Sequence, residues 1–245
     1  MEHTPKRYRY IVFDADHTLV NYLADERAAF LALYAETGVE VTDELLAYSR
    51  RFSEEAWTDA GLYDVHTERI QKEYHALYRS HVSEIFARIT LAYSVQFPYS
   101  AEEMGKRFLK CLEKDGILLS DAEEVLGYLS ENTGGRYALS VATNGLSAIQ
   151  NKRLSHLQKY FSHTFISEEM GLIKPLPAFF ERVLRVLGAQ KEECLIVGDS
   201  LSSDVAGAIA SGIDSCWLNA RGVENGTEFC PTYEIRELLE LKKFL

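Results

Sequence analysis

"YIVFDADHTL", Tyr10–Leu19, carries the first decision about this chain. Its four leading residues, Tyr10–Phe13, are too few for a helix and show no polar alternation. Such a run reads as a strand buried on both faces, as in parallel sheets flanked by helices. It ends in two carboxylates, Asp14 and Asp16, two residues apart. Like charges that close repel, and Gly, Asn or Ser would finish a strand without that cost. A parallel sheet offers a reason for them, because its ligands bind beyond the carboxyl ends of the strands.

Further short apolar runs follow at Tyr137–Val141, Thr164–Ile166, Cys194–Val197 and Cys216–Leu218. Helical patterns separate them. Phe179, Phe180, Val183, Leu184 and Leu187 form one apolar stripe ended by Gly188, and Val205–Ala210 is closed by Gly212. Strands alternating with helices from about residue 120 predict an α/β fold, a doubly wound parallel sheet. The region from Asn21 to Gly116 differs. It has neither Gly nor Pro between Gly61 and Pro98 and is rich in Glu, Ala, Leu, Arg and Tyr. Three to five helices are expected there, broken near "DAGLYD" and "FPYS". The expected organisation is a core of residues 1–20 and 117–245 with a helical subdomain, 21–116, inserted after the first strand.

The chain has 245 residues, 47% hydrophobic and 26% charged, which suits one large or two modest folded domains rather than disorder. Its formal net charge of -11 argues against nucleic acid polymers and anionic membrane surfaces as partners. A small anionic substrate remains compatible, since a metal or a few local cations can reverse the field inside one cleft. Cys111, Cys194, Cys216 and Cys230 form no C-x-x-C pair and are expected to be buried free thiols in a reducing compartment. "MEHTPKRYRY" lacks the apolar segment of a secretory signal, and no apolar run reaches the ~18 residues that span a bilayer. A soluble, cytoplasmic protein is expected.

The residues after each run converge on one kind of chemistry. Asp14 and Asp16 follow the first. Thr143, Asn144 and Gly145 follow the second, and Gly198, Asp199 and Ser200 follow the fourth, with Asp204 on the next helix. Lys174 lies in the loop "GLIKPLP". Singly, each has a structural explanation: a cap, a turn former, a solvated charge. Together, several carboxylates at neighbouring strand ends need a cation. Oxygen donors without a Cys or His cluster point to Mg²⁺, which also binds phosphate. An Asp beside Mg²⁺ can attack phosphorus, and a second Asp can protonate the leaving oxygen and then deprotonate water. Two residues along an extended chain put both side chains on the same side, as such a pair requires.

"DADHT", "TNG", the lysine of "GLIKP" and "GDSLSSD" resemble, in order, the four motifs of the haloacid dehalogenase superfamily. The stretches "ATNGLSAIQNKRL", "FISEEMGLIKP" and "CWLNA" resemble its noncanonical pyrimidine 5′-nucleotidases. The resemblance implies a Mg²⁺-dependent phosphomonoesterase with a helical cap, acting on a small phosphorylated metabolite such as a nucleoside monophosphate. It implies Asp14 as nucleophile and metal ligand, and Asp16 as general acid/base lending its backbone carbonyl to the metal. Thr143 and the amides of Asn144 and Gly145 would bind phosphate, Lys174 would neutralise charge on phosphate and Asp14, Asp199 would ligate the metal, and Asp204 would stand behind it. His17 occupies a position where many members carry Gly, with alternation aiming it away from the aspartates. Tyr22, Trp57, Tyr63, Tyr74 and Tyr78 are expected to pack the subdomain's own core rather than stack on a base. A sugar-phosphate phosphatase, a phosphomutase and a catalytically silent phospho-ligand binder stay open as alternatives. Asp16 argues against a dehalogenase.

Overall fold

A computed structural model describes residues 8–132 and 134–245. The first seven residues of the expected core segment, and most of the N-terminal stretch read for a signal, lie outside the described residues. Six strands form one parallel sheet: β1 Tyr10–Phe13, β2 Ala138–Thr143, β3 Phe161–Ile166, β4 Cys194–Gly198, β5 Asp214–Leu218 and β6 Tyr233–Ile235, in the order β3-β2-β1-β4-β5-β6. The expected doubly wound sheet is present. β1 lies between β2 and β4, with Phe13 level with Val141 on one side and Val197 on the other. The strand order therefore reverses beside β1, the place where this class of sheet opens a crevice for ligands.

The run Tyr10–Phe13 is apolar throughout because both faces of the sheet are covered. Ile11 and Phe13 enter one buried cluster with Leu139, Val141, Leu195 and Val197, sealed by Val125, Leu126 and Leu129. Val12 enters the opposite cluster with Ile196, Phe179, Phe180 and Val183. Phe179, Phe180 and Val183 lie on the helix Pro177–Leu187, which closes at Gly188 with φ 64, a left-handed turn that glycine adopts without strain.

The chain divides into two compact units. One holds the sheet and takes in the described residues of 8–21, 118–144 and 154–245. The other is helical and comprises Tyr22–Ile117 together with Gly145–Arg153. Its helices are α1 Tyr22–Thr37, α2 Asp43–Asp59, α3 Glu68–Tyr93 and α4 Ala101–Leu112, with the short Ser147–Arg153 helix joining them. The breaks at "DAGLYD" and "FPYS" fall between α2 and α3 and between α3 and α4; a further break, Gly38–Thr42, separates α1 from α2. The segment 145–153 groups with the helical unit, which departs from the sequence-based boundary.

Inside the helical unit, Phe30 stacks on Phe108 at 4.4 Å, and Tyr74, Tyr78 and His81 pack edge-on against Trp57. Tyr74 and Tyr78 are buried core residues, while Tyr63 is 55% exposed. Cys194 and Cys216 are buried and unpaired, but Cys111 is half-buried and Cys230 is exposed, so burial of all four thiols does not hold. Among the described residues, no helix is long and apolar enough to cross a membrane.

His81 sits 5.2 Å from the Trp57 ring, and its Nδ1 donates to the Tyr78 carbonyl at 2.7 Å. Burial pulls its pKa down to about 4, against the opposing carbonyl contacts. The folded state thus binds fewer protons than the unfolded chain between about pH 4 and the ordinary histidine value of about 6.5. His81's contribution is complete above that window and is lost as pH falls through it. Urea unfolding at pH 7 and pH 5 should show wild type losing about 2 kcal/mol more than His81→Gln; equal losses would contradict this account.

Candidate active site

Asp14 is the first residue beyond β1, and its amide donates to the Val197 carbonyl of β4 at 2.8 Å. Its side chain is 10% exposed. Lys174 reaches it from the loop before the Pro177–Leu187 helix. The Lys174 ammonium donates to Asp14 Oδ1 at 2.6 Å, to Asp204 Oδ1 at 2.6 Å and to the Ala142 carbonyl at 2.8 Å. All three of its protons are used, and its side chain is 2% exposed. Burial alone would lower its pKa, but the charges of Asp14 and Asp204 and their hydrogen bonds outweigh burial and hold it above the ordinary lysine value.

Asp199 follows β4, and Asp204 lies one turn on, in the Leu201–Val205 segment. Carboxylate oxygens of Asp14, Asp199 and Asp204 lie within 4.8 Å of one another. Asp204 is committed: besides Lys174, it accepts from the Ser200 amide at 3.1 Å. Gly198 makes its approach possible, since a Cβ at that residue would run into the Asp204 carboxylate. The Trp217 indole donates to the Asp199 carbonyl at 2.8 Å and fixes the backbone there. The polar handle of a tryptophan in the otherwise apolar run Cys216–Leu218 was the available signal for this role.

Burial pushes the Asp14 pKa up; Lys174 pulls it down, and the neighbouring charges of Asp204 and Asp16 push it up again, leaving it at about 7. Burial and the charges of Asp14 and Asp204 likewise hold Asp199 well above the ordinary carboxylate range. Such a cluster favours a bound cation. Its donors are all hard oxygens, and Asp204 is already occupied, so Asp14 and Asp199 are the carboxylates that fit a small divalent ion.

Thr143 ends β2 and is buried. The Asn144 side chain does not face a ligand. Its Nδ2 donates to the Lys174 carbonyl at 2.9 Å and its Oδ1 accepts from the Lys174 amide at 2.8 Å, clamping two loops together. Only its backbone amide remains for the role expected of it. Gly145 groups with the helical unit. Asp16 is half-buried and bridges to Val20 as the chain turns back, with the Leu19 and Val20 amides both donating to the Ala15 carbonyl at 2.9 Å. His17 is exposed with φ 61, a left-handed conformation that explains why glycine suits this position.

Removing the lysine charge tests this balance. Lys174→Met leaves Asp14 and Asp204 buried without a counter-ion and should cost roughly 3–5 kcal/mol at pH 8, the usual cost of breaking a buried pair from one side. Urea unfolding of both proteins measures it; a loss below about 1 kcal/mol would mean the ammonium is not what holds the two carboxylates.

The haloacid dehalogenase-like hydrolase family matches residues 8–212. The pyrimidine 5′-nucleotidase PynA of Streptococcus pneumoniae is 33% identical over 237 residues, 96% of this chain and 93% of PynA. The pyrimidine 5′-nucleotidase YjjG of Escherichia coli is 26% identical over 98% of each chain. The magnesium-bound crystal structure of the HAD-hydrolase YfnB of Bacillus subtilis superposes with a TM-score of 0.81 at 29% identity, covering 97% of this chain and 98% of that one. With the four motifs gathered at the carboxyl ends of its strands and the family matched over most of its length, the chain belongs to the haloacid dehalogenase-like hydrolases.

Proposed function

We propose that this hydrolase cleaves phosphomonoesters through a phosphorylated Asp14 and that its substrates are nucleoside monophosphates. One observation carries the chemistry: a buried carboxylate at the end of the central strand, held at 2.6 Å by a buried ammonium beside two further carboxylates. The substrate class is supported by PynA and YjjG, both pyrimidine 5′-nucleotidases. The helical unit is proposed as the cap.

Asp14 attacks phosphorus, and the bond from phosphorus to the ester oxygen breaks. Asp16 gives its proton to the leaving oxygen. In the second half-reaction Asp16 takes a proton from water, which attacks the phosphoryl group and releases phosphate and free Asp14. Lys174 works against burial to keep Asp14 ionised and aimed, and Asp204 orients Lys174. Thr143 and the backbone amides of Asn144 and Gly145 hold phosphate oxygens. Asp14, Asp199 and the Asp16 carbonyl would hold Mg²⁺, which supplies charge neutralisation at the phosphoryl oxygens when bound.

The direct test is phosphate release across nucleoside monophosphates and sugar phosphates, with and without chelator. Pyrimidine monophosphates should be hydrolysed best, chelation should abolish turnover, Mg²⁺ should restore it, and Asp14→Asn should lower kcat by at least about a thousandfold. An Asp14→Asn enzyme within tenfold of wild type would sink the nucleophile assignment.

Asp16 faces two different demands. p-Nitrophenolate leaves with little need of a proton, whereas a ribose alkoxide needs one. Asp16→Asn should therefore slow nucleotide hydrolysis severely and spare phosphoryl transfer from p-nitrophenyl phosphate. Dephosphorylation then limits turnover, so rapid mixing should show a nitrophenol burst near one equivalent and mass spectrometry should find phosphate on Asp14. Equal slowing of both substrates without a burst would remove Asp16 from the acid/base role.

A further inference from the structure

The chain crosses between its two units four times, after residues 21, 117, 144 and 153. A buried polar relay lying wholly within the helical unit gathers residues beside several of these crossings. Asp25, on α1, accepts from Arg153 Nε at 2.8 Å through Oδ2 and from the Ile117 amide at 2.8 Å through Oδ1. Both side chains of the ion pair are 1% exposed. The Gly116 amide donates to the Arg153 carbonyl at 3.1 Å, and the Arg153 guanidinium lies 5.3 Å from the Tyr22 ring. Arg153 Nη1 reaches Gln150 Oε1 at 3.5 Å. Gln150 in turn lies against the backbone of Gly145: a Cβ there would stand 2.7 Å from Gln150 Nε2 and 2.9 Å from its Cγ.

A buried ion pair is a poor device for stability alone, because desolvation offsets most of its attraction and apolar residues of similar size serve as well. What it supplies is a fixed direction. Here that direction runs from α1, through Arg153 and Gln150, to the last residue of the "TNG" triad. We propose that Asp25, Arg153 and Gln150 are positioning residues for phosphate binding, setting the Gly145 backbone so that its amide meets a phosphate oxygen. This rests on the phosphatase reading above and extends it to residues outside the aspartate cluster.

The test is isothermal titration of inorganic phosphate into the full chain in Mg²⁺ buffer, alongside steady-state hydrolysis of p-nitrophenyl phosphate. Asp25→Leu/Arg153→Met removes both charges at similar volume, so it should stay folded; Gln150→Ala interrupts the relay nearer the glycine. In both, the phosphate Kd and the KM should rise about tenfold, the equivalent of one misplaced hydrogen bond, while kcat changes less than about threefold. Should the double variant fail to fold, Gln150→Ala decides. Arg51→Ala, which removes an exposed ion pair on α2, should leave both constants unchanged. A folded variant whose Kd and KM stay within threefold of wild type overturns the proposal while leaving the phosphatase reading intact. Wild type that neither binds phosphate nor hydrolyses the ester overturns both.

Discussion

Everything at the carboxyl edge of the sheet depends on where one ammonium sits. Lys174 is almost fully buried, and its three protons are spent on two carboxylates and a backbone carbonyl. Taking such a charge out of water costs several kcal/mol, and only close, well-aimed acceptors offset that. The three acceptors come from different parts of the chain: Asp14 after the first strand, Ala142 in the second, and Asp204 beyond the fourth. No local structure could assemble them. The parallel sheet does so because β1 is flanked by β2 and β4, with Phe13 level with Val141 and Val197. The reciprocal pair of hydrogen bonds between Asn144 and the Lys174 backbone then sets the depth at which the lysine enters.

That geometry imposes requirements on residues with no reactive atoms. Gly198 must lack a side chain because the Asp204 carboxylate occupies the space a Cβ would take. Trp217 gives its indole proton to the Asp199 carbonyl, so a residue buried in β5 fixes the backbone that carries this aspartate beyond β4. Polar groups placed this way are satisfied as well as rigid, which is what a buried charged cluster needs.

Much of this was legible in the sequence, for a physical reason. A strand covered on both faces is written as an unbroken apolar run, and the first polar residues after it mark the strand end; Tyr10–Phe13 and Cys194–Val197 with their aspartates are such cases. Tyr233–Ile235 was missed as a strand because it has three residues with an exposed glutamate in the middle. The placement of Gly145–Arg153 was illegible too. Its contacts there include an ion pair between residues 128 positions apart, and neither Asp25 nor Arg153 announces burial by its type. Asn144 is a turn former by type, yet its side chain is a clamp, because its partner is a backbone that sequence pattern does not locate.

The two buried cations solve different problems with different chemistry. Arg153 uses a rigid planar fork to fix direction between Asp25 and Gln150. Lys174 is a compact point charge that can serve acceptors arranged around it. Under the proposed mechanism that difference bears on reactivity. An aspartate clamped by a bidentate guanidinium would be strongly stabilised as the anion and correspondingly poor at attacking phosphorus. Asp14 instead shares its ammonium with Asp204 and a carbonyl, and burial and neighbouring anions push back. The outcome is a carboxylate poised near neutrality, held in place without being neutralised by its own support. A divalent cation held beside Asp14 and Asp199 would tip that balance towards the ionised form, the form that the proposed attack on phosphorus requires.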